Sequence, residues 1–429
     1  MTASTDSPSF TSGASARRPV VGPAAGVGVV VAIGLAAFNL RPAVTSVGPL
    51  LEEVRTSLGM SGAVAGLLTG FPALCFVVAG ASAPRLVRRL GPALVLMAAM
   101  ATVAIGLALR PYVGGTTGTF LLFSAAALAG IGVANVVMPV VVKRYFPERV
   151  GTLTGFYSMV LTLGASLAAA TTVPLTHALG GDWRAGLAFW AMPALLAVIA
   201  WLPVVRRDRR TRAIRAVERA AHAASSGPRV WRSRTAWALG IFFGLQGSGA
   251  YVVMGWLPQI FRDAGFSAET AGLLLAATPA VGIPLSFLLP SLAGRMRSQG
   301  GLVVALSALG LVAYAGLGVA PTAAPWLWVV LLGASQSTFP LALAMIGLRA
   351  RSTTGVVRLS AFAQSLGYLL SVAAPVLVGV LYAQTGGWSV PIALMAALLV
   401  PQAVTGYLAG RPRWIEDEVS LPGVGAERR

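Results

Sequence analysis

Apolar stretches long enough to cross a lipid bilayer recur along the whole of this chain. A helix needs about 20 predominantly apolar residues to span roughly 30 Å of hydrocarbon. So many apolar stretches, separated only by short loops, are not expected of a soluble core, and they lack the period-two alternation of membrane strands. We therefore predict twelve transmembrane helices, at residues 24–51, 61–83, 92–109, 118–142, 150–175, 185–205, 235–261, 268–293, 300–320, 325–348, 359–383 and 387–410.

The composition supports an all-α membrane protein. Of 429 residues, 56% are hydrophobic and 10% are charged, which leaves more apolar surface than a soluble protein of this length could bury. One cysteine, Cys75, excludes disulfides within the chain, and with only His177 and His222 beside it no Cys/His metal cluster is expected. We expect no metal and no cofactor.

The net charge of +19 is distributed unevenly between the predicted loops. If the N-terminus is cytoplasmic, 27 of the 32 basic residues lie in cytoplasmic segments, and only Arg55, Arg110, Arg184 and Arg262 lie in outer loops. This positive-inside asymmetry predicts that both termini are cytoplasmic, in the inner membrane of a bacterium. The basic charge therefore needs no nucleic acid to explain it, and we expect a monomer whose partners are the lipid bilayer and a small solute.

The spacing of the helices divides the chain into two halves. We predict a disordered cytoplasmic tail over 1–23, a six-helix bundle over 24–205, a basic cytoplasmic linker over 206–234, a second six-helix bundle over 235–410 and a cytoplasmic tail over 411–429. The linker is interpreted either as an amphipathic helix on the inner leaflet or as a solvated connection.

Two sequence matches indicate that the halves are repeats. Residues 65–68 and 271–274 both read Ala-Gly-Leu-Leu, at an offset of 206. In the fourth helix of each half, Gly132, Asn135 and Pro139 match Gly333, Gln336 and Pro340 at an offset of 201. Two equivalent bundles that face each other around a central cavity are typical of transporters that work by alternating access.

Several segments resemble a known family. The chain is similar to the major facilitator superfamily over about residues 24–410, and residues 83–91 resemble a degenerate form of its basic loop motif, without the usual acidic residue. Residues 39–49, 142–147 and 363–370 resemble the cyanate and nitroimidazole transporter group. The resemblance implies transport of a small solute by two pseudo-symmetric bundles, with a gate formed by Arg85, Arg88, Arg89 and Arg295.

Arg41 is the one basic residue inside a predicted span. A central arginine costs about 2.5–3.5 kcal/mol on insertion scales, so such residues usually bind, pair or line a pathway. Gly34, Arg41, Thr45 and Gly48 would share one helix face, which Pro42 would kink by removing a backbone hydrogen bond. We expect this kinked face of small residues to leave space for a solute beside the guanidinium. We interpret Arg41 as an anion-binding residue; the alternative is that it snorkels or pairs with backbone carbonyls.

Other polar residues could complete the cavity. The resemblance implies that the first, fourth, seventh and tenth helices line the path, aided by the second, fifth, eighth and eleventh. The candidate solute-binding residues are Arg41, Thr45, Asn135, Tyr157, Gln246, Tyr251, Gln336, Gln364 and Tyr368. Each of them could instead make a hydrogen bond that packs one helix on another.

The predicted function is secondary transport of a small anion or compact polar molecule, such as cyanate. No Asp or Glu lies within a predicted helix beyond its first turn, so no buried carboxylate is expected to carry a proton; the nearest to Arg41 are Glu52 and Glu53. No nucleotide motif and no catalytic constellation is present, so we predict neither an ATP-driven pump nor an enzyme. The alternatives are a multidrug or metabolite exporter with a structural Arg41, and a membrane sensor without solute flux.

Overall fold

The computed structural model describes residues 23–146, 148–212 and 230–419, and this part of the chain is helical, without a strand. Most of the predicted tails and residues 213–229 of the predicted linker lie outside the described residues. The helices are α1 (Pro23–Phe38, Pro42–Thr45 and Leu51–Leu58), α2 (Gly62–Leu90), α3 (Pro92–Leu109), α4 (Thr117–Tyr145), α5 (Val150–Ala178), α6 (Trp183–Ala188 and Ala191–Arg212), α7 (Arg234–Asp263), α8 (Ala268–Arg295), α9 (Gly300–Val319), α10 (Pro325–Gln336 and Thr338–Leu348), α11 (Thr353–Ser371 and Ala373–Thr385), α12 (Ser389–Ala409) and α13 (Ile415–Val419).

Helices α1–α12 match the twelve predicted spans. Eleven of them are long and apolar enough to cross a membrane, and the remaining one, α2, has a shorter apolar part at Gly62–Phe76. The all-α membrane fold predicted from the sequence is confirmed. We call the face that carries Pro23 and α13 the terminal face, and the face that carries Leu58 and Asp263 the distal face.

Helix α2 is longer than predicted. The sequence suggested that it ends before Pro84, but the helix continues through this proline to Leu90 and ends at Gly91, which has a φ of 78°. Membrane helices tolerate an internal proline because neighbouring groups satisfy the carbonyl that it frees. The predicted gating residues Arg85, Arg88 and Arg89 therefore lie on the last turns of a helix, not in a loop. Arg295 occupies the equivalent end of α8.

Several Asp and Glu residues that were expected in loops lie on helices. Glu52 and Glu53 belong to the last segment of α1, Asp208 to the extended end of α6, Asp263 to the end of α7 and Glu269 to the start of α8. The prediction that no Asp or Glu lies within a helix is wrong for this reason. All of these residues are near helix ends, because the helices extend beyond their apolar parts.

The repeat between the halves has a packing basis. A Cβ at Gly132 of α4 would lie 2.7 Å from the Ala79 side chain of α2, and a Cβ at Gly333 of α10 would lie 2.5 Å from the Thr278 carbonyl oxygen of α8. Each glycine thus allows close contact between equivalent helices of its own bundle. The two bundles are related by this pseudo-symmetry.

The buried side chains form three clusters. One cluster lies in the first bundle, and includes Ile33, Met100 and Trp201. Another lies in the terminal half of the second bundle, with Phe242 and Leu359 among its members. The third contains residues of both bundles on the distal side. The bundles therefore share a core toward the distal face and have separate cores toward the terminal face.

Candidate functional site

The break in α1 positions the candidate site. Its first helical segment ends at Phe38, and Arg41 has a φ of −128° at the start of the next segment, Pro42–Thr45. Pro42 has no N–H, so the carbonyl of Phe38 loses its usual helical partner. This carbonyl lies tightly against Gly164 of α5, where a Cβ would overlap it. The predicted kink at Pro42 is present, and it is a complete interruption of the helix.

Asn39 stabilises the interrupted backbone. Its side-chain amide donates a hydrogen bond of 2.7 Å to the carbonyl of Leu35, and its backbone N–H bonds instead to Ala36. The side chain is buried, and its Oδ1 has no hydrogen-bond partner in the described part of the chain. Asn39 begins one of the segments that resemble the cyanate and nitroimidazole transporters, but its role at the interruption was not predicted.

The Arg41 side chain lies at this interruption and is partly buried. Its hydrogen-bond contact is weak: Nη1 lies 4.0 Å from the sulfur of Met254 in α7. It also interacts electrostatically with Tyr251 and Tyr368 of the second bundle. Among the described residues no carboxylate pairs with Arg41. The guanidinium therefore faces the interface between the bundles and keeps N–H donors that a solute could bind.

Aromatic rings join the bundles beside Arg41. The ring of Tyr368 lies edge-on to Phe76 of α2 at 5.3 Å and edge-on to Phe243 of α7 at 5.4 Å. Phe339 of α10 continues this group at 5.7 Å from Phe243. Aromatic rings prefer edge-to-face arrangements of this kind. The sequence pattern did not single out the three phenylalanines, because apolar rings are common throughout these helices.

Of the other predicted site residues, several bond to their own helices. Thr45 donates to the Arg41 carbonyl at 3.3 Å, and Asn135 donates to a carbonyl one turn earlier in α4 at 3.0 Å. Gln364 donates to the Ser360 hydroxyl at 2.6 Å. These bonds do not exclude contact with a solute. They show that the side chains do not depend on one for their hydrogen bonds.

The remaining candidates differ in position. Tyr157 packs against the core of the first bundle, as Tyr368 does from the second. Gln246 is buried in α7, and its Oε1 has no partner in the described residues. Gln336 instead faces a small cavity within the second bundle, bordered by Tyr314 and Gln402. The structure thus gathers Arg41, Tyr251 and Tyr368, and places Gln336 elsewhere.

The small-residue face predicted for α1 is wrong. A Cβ at Gly34 would lie 3.2 Å from the ring of Phe156, and a Cβ at Gly48 would lie 2.5 Å from the carbonyl of Met254. Both glycines therefore allow close helix packing and leave no room for solute. The interruption at residues 39–41 explains the difference, because it destroys the regular spacing that would align Gly34 with Gly48.

Two equivalent helix pairs close the distal side. A Cβ at Gly66 of α2 would lie 2.5 Å from the Pro375 carbonyl of α11, and a Cβ at Gly272 of α8 would lie 2.5 Å from the Ala169 carbonyl of α5. These glycines occupy the same position in the repeated Ala-Gly-Leu-Leu segments. The repeat therefore marks the seal between the bundles.

An ion pair reinforces the seal. The two terminal guanidinium nitrogens of Arg262, Nη1 and Nη2, donate to the carboxylate of Glu53 at 2.8 and 2.9 Å. Nearby, Asp263 accepts hydrogen bonds from Tyr382 and Trp388, each at 2.7 Å. Glu53 was predicted at the end of α1, but its partner could not be identified from sequence spacing.

The environment of Arg110 differs most from the one predicted. It was assigned to an outer loop, but its side chain is 3% exposed and its Nη1 donates to the carbonyl of Ala43 at 3.1 Å. That carbonyl belongs to the interrupted part of α1. Arg110 therefore does what the alternative interpretation assigned to Arg41: it satisfies a carbonyl of a broken helix.

Comparison with known proteins agrees with this architecture. The model of the Major Facilitator Superfamily matches residues 31–372. The chain is 37% identical to the uncharacterized transporter YycB of Bacillus subtilis (strain 168), over 88% of this chain and 92% of that protein. It is 35% identical to the 2-nitroimidazole transporter of Escherichia coli (strain K12), over 90% of this chain and 96% of that protein.

A further relative and a solved structure extend the comparison. The cyanate transport protein CynX of Escherichia coli (strain K12) is 32% identical, over 87% of this chain and 94% of its own length. The crystal structure of a D-xylose-proton symporter has a TM-score of 0.69 at 17% identity, and covers 90% of this chain and 96% of that chain. This structural likeness concerns the fold alone. The chain belongs to the Major Facilitator Superfamily and is a multi-pass secondary transporter, not an enzyme.

Proposed function

We propose that this transporter carries a small, flat anion, or a molecule with a comparable acceptor group, and binds it at Arg41. The observation that supports this most directly is the partly buried guanidinium, which has one weak contact with Met254 and no carboxylate partner among the described residues. A guanidinium offers two parallel donors to a planar acceptor, and bonds of this kind are stronger when they are charge-assisted.

The surroundings favour a compact solute. Phe76, Phe243 and Tyr368 form an aromatic group that spans the two bundles. Flat molecules stack on such rings, and a cyanate ion or a nitro group would present acceptors to Arg41. The relatives that transport cyanate and 2-nitroimidazole are consistent with this chemistry.

We further propose that the terminal face is cytoplasmic, because 27 of the 32 basic residues then lie inside. In this orientation the structure is closed to the outside by Gly66, Gly272 and the pair Glu53 with Arg262. Single cysteines at Ser226 and Thr322 test the orientation. An impermeant reagent should label the cysteine at 322 in intact cells and should leave the one at 226 unlabelled; the reverse result would contradict the assignment.

Counterflow in proteoliposomes tests the substrate class. Vesicles loaded with unlabelled cyanate or 2-nitroimidazole should take up the labelled compound, and Arg41→Gln should reduce the initial rate by about tenfold or more. Arg184→Gln, which removes an arginine paired with Asp182 within one bundle, is the matched control and should behave as wild type.

The same assay addresses the alternative of an exporter with an apolar cavity, which the aromatic group beside Arg41 could also serve. Such an exporter would exchange lipophilic drugs instead, with rates that do not depend on Arg41. Counterflow of drugs at equal rates in wild type and Arg41→Gln would overturn the proposed anion site.

A further inference from the structure

A second arginine is buried without a counter-charge on the distal side. Arg110 follows the last residue of α3, and its side chain is 3% exposed. Nη1 donates to the Ala43 carbonyl at 3.1 Å, and the guanidinium carbon lies 5.8 Å from the centre of the Phe120 ring. Nε and Nη2 have no hydrogen-bond partner in the described part of the chain.

The buried charge of Arg110 lacks the partners that would offset its loss of hydration. A guanidinium remains protonated at physiological pH. A buried charge is costly unless it is paired and its remaining protons are hydrogen-bonded, and one carbonyl and one ring do not neutralise it. No carboxylate within the described residues forms an ion pair with Arg110. The missing component is therefore a negative charge with acceptor capacity.

A small cavity adjoins Arg110. It has a volume of about 20 Å³ and is bordered by Arg110, Ser124 and Thr69, together with apolar side chains and the backbone of Gly48 and Gly255. A cavity of at least roughly 10–15 Å³ holds one water molecule, so this one suits a single molecule or ion between water and halide in size. It is too small for an aromatic solute.

Ser124 borders the same cavity and carries a second buried polar group. Its side chain is 1% exposed, and its hydroxyl has no partner among the described residues. It lies four residues after Phe120 on α4, so both side chains project from the same face of that helix. A serine hydroxyl and a guanidinium can both donate to one anion.

We propose that Arg110 and Ser124 bind a small inorganic monovalent anion of halide size in this cavity. The site is distinct from Arg41, which contacts Met254 and does not border this cavity. It holds whether or not Arg41 binds the transported solute, because its evidence comes from different residues.

The position of the cavity gives the anion a role in conformational change. Gly255 of α7 belongs to the second bundle, whereas Arg110, Ser124 and Thr69 belong to the first. Gly255 lies so close to Thr69 that a Cβ would overlap the threonine side chain. When the distal side opens, α7 withdraws and exposes the anion to water. The bound anion therefore stabilises the state that is closed on the distal side.

Equilibrium binding of radioactive chloride to the purified, full-length protein tests this proposal, with thermal stability recorded in chloride against gluconate at constant ionic strength. Wild type should bind chloride saturably, and its melting temperature should rise with chloride concentration. Arg110→Gln should abolish both effects. Ser124→Ala should raise the half-saturating concentration by about tenfold, because it removes one charge-assisted hydrogen bond.

Two control variants distinguish this cavity from anion binding elsewhere in the protein. Ser307→Ala removes another buried serine hydroxyl without a partner in the described residues, outside this cavity, and should leave chloride binding unchanged. Arg41→Gln should also retain it. Chloride binding that survives in a folded Arg110→Gln variant, or that is unaffected by Ser124→Ala, overturns the proposal. If Arg110→Gln does not fold, the Ser124→Ala result decides.

Discussion

Glu53 and Arg262 join the two bundles through a pair of parallel hydrogen bonds, 2.8 and 2.9 Å long, on the distal face. Their side chains are 35% and 21% exposed, so water screens the pair only in part. Arg262 also donates to the carbonyl of Pro49 at 3.2 Å, which ties the end of α7 to the turn in α1. The pair can form only while the distal side is closed.

Loss of this pair should shift the transporter toward distal opening. Exposed pairs contribute about 0.2–1 kcal/mol, and a partly buried bidentate pair lies near the upper limit. Arg262→Gln should therefore increase the population of distal-open molecules by roughly fivefold. The measurement is the rate at which an impermeant thiol reagent labels Thr69→Cys in a Cys75→Ala background. Arg184→Gln, which breaks a pair within one bundle, should leave this rate unchanged; an equal increase there would contradict the gate assignment.

Because Glu52 and Glu53 each bind an arginine, we predict that neither carries the coupling proton. Glu52 accepts two hydrogen bonds from Arg55 of the same helix segment, and Glu53 accepts from Arg262. Replacing both glutamates with glutamine should leave gradient-driven uptake of the substrate largely intact. We would measure uptake in proteoliposomes with and without a proton gradient, alongside exchange. Loss of gradient-driven uptake with exchange preserved would identify these residues as the coupling site instead.

The glycines in the distal seal should be intolerant of even one methyl group. A Cβ at Gly66 or Gly272 would lie 2.5 Å from a backbone carbonyl of the other bundle, and a backbone cannot move aside as a side chain can. Gly66→Ala and Gly272→Ala should each slow counterflow severely, because closure of the distal side is impaired. Gly347→Ala is the matched control, since nothing lies within 4 Å of its Cβ position. Wild-type rates in both seal variants would exclude the proposed seal.

The contacts of Glu418, in the C-terminal helix α13, predict that the stability of the folded protein depends on pH. Glu418 accepts hydrogen bonds from the hydroxyls of Ser233 and Thr235 at 2.6 and 2.7 Å. Burial raises the pKa of Glu418, but these bonds outweigh it, so the net pKa lies below the usual value. A lowered pKa in the folded state means that the carboxylate stabilises the fold at neutral pH. This stabilisation is lost as the pH falls through the folded-state pKa.

Glu418→Gln should therefore reduce the free energy of unfolding by about 1 kcal/mol at pH 7, after allowance for partial exposure. Thermal unfolding of both proteins between pH 7 and pH 4 measures the effect, and the difference should shrink toward the acid end. Asp417→Asn, which affects the exposed pair with Arg351, should cost less. A difference that stays constant with pH would show that the ionised carboxylate is not responsible.

The sequence predicted the twelve spans and the repeat because both depend on local patterns. Apolar length specifies a span, and the glycines of the repeat recur where equivalent helices must approach closely. Helix ends were less predictable. Pro84 looked like a helix end, yet α2 continues to Leu90, and membrane helices tolerate an internal proline of this kind.

The candidate site was predictable only in part. Arg41 was conspicuous as a charge in an apolar run, and Pro42 indicated the interruption beside it. Arg110 was not recognised, because its burial involves a hydrogen bond to the Ala43 carbonyl of the broken helix α1, 67 positions earlier in the chain. The pairing of Glu53 with Arg262 likewise joins residues 209 positions apart. Contacts of this kind depend on the relative placement of the bundles, which no local pattern encodes.

Equilibrium binding of a small anion to Arg41 variants tests the central claim most directly. The measurement uses folded, purified protein with cyanate as the ligand, and thermal stability is recorded to separate recognition from loss of structure. Charge-assisted hydrogen bonds contribute about 1.5–3 kcal/mol each, so Arg41→Gln should weaken binding by about tenfold or more. Arg41→Lys should be intermediate, because an ammonium keeps the charge but lacks the planar fork. Unchanged affinity in a well-folded Arg41→Gln variant would contradict the anion site and favour the apolar exporter.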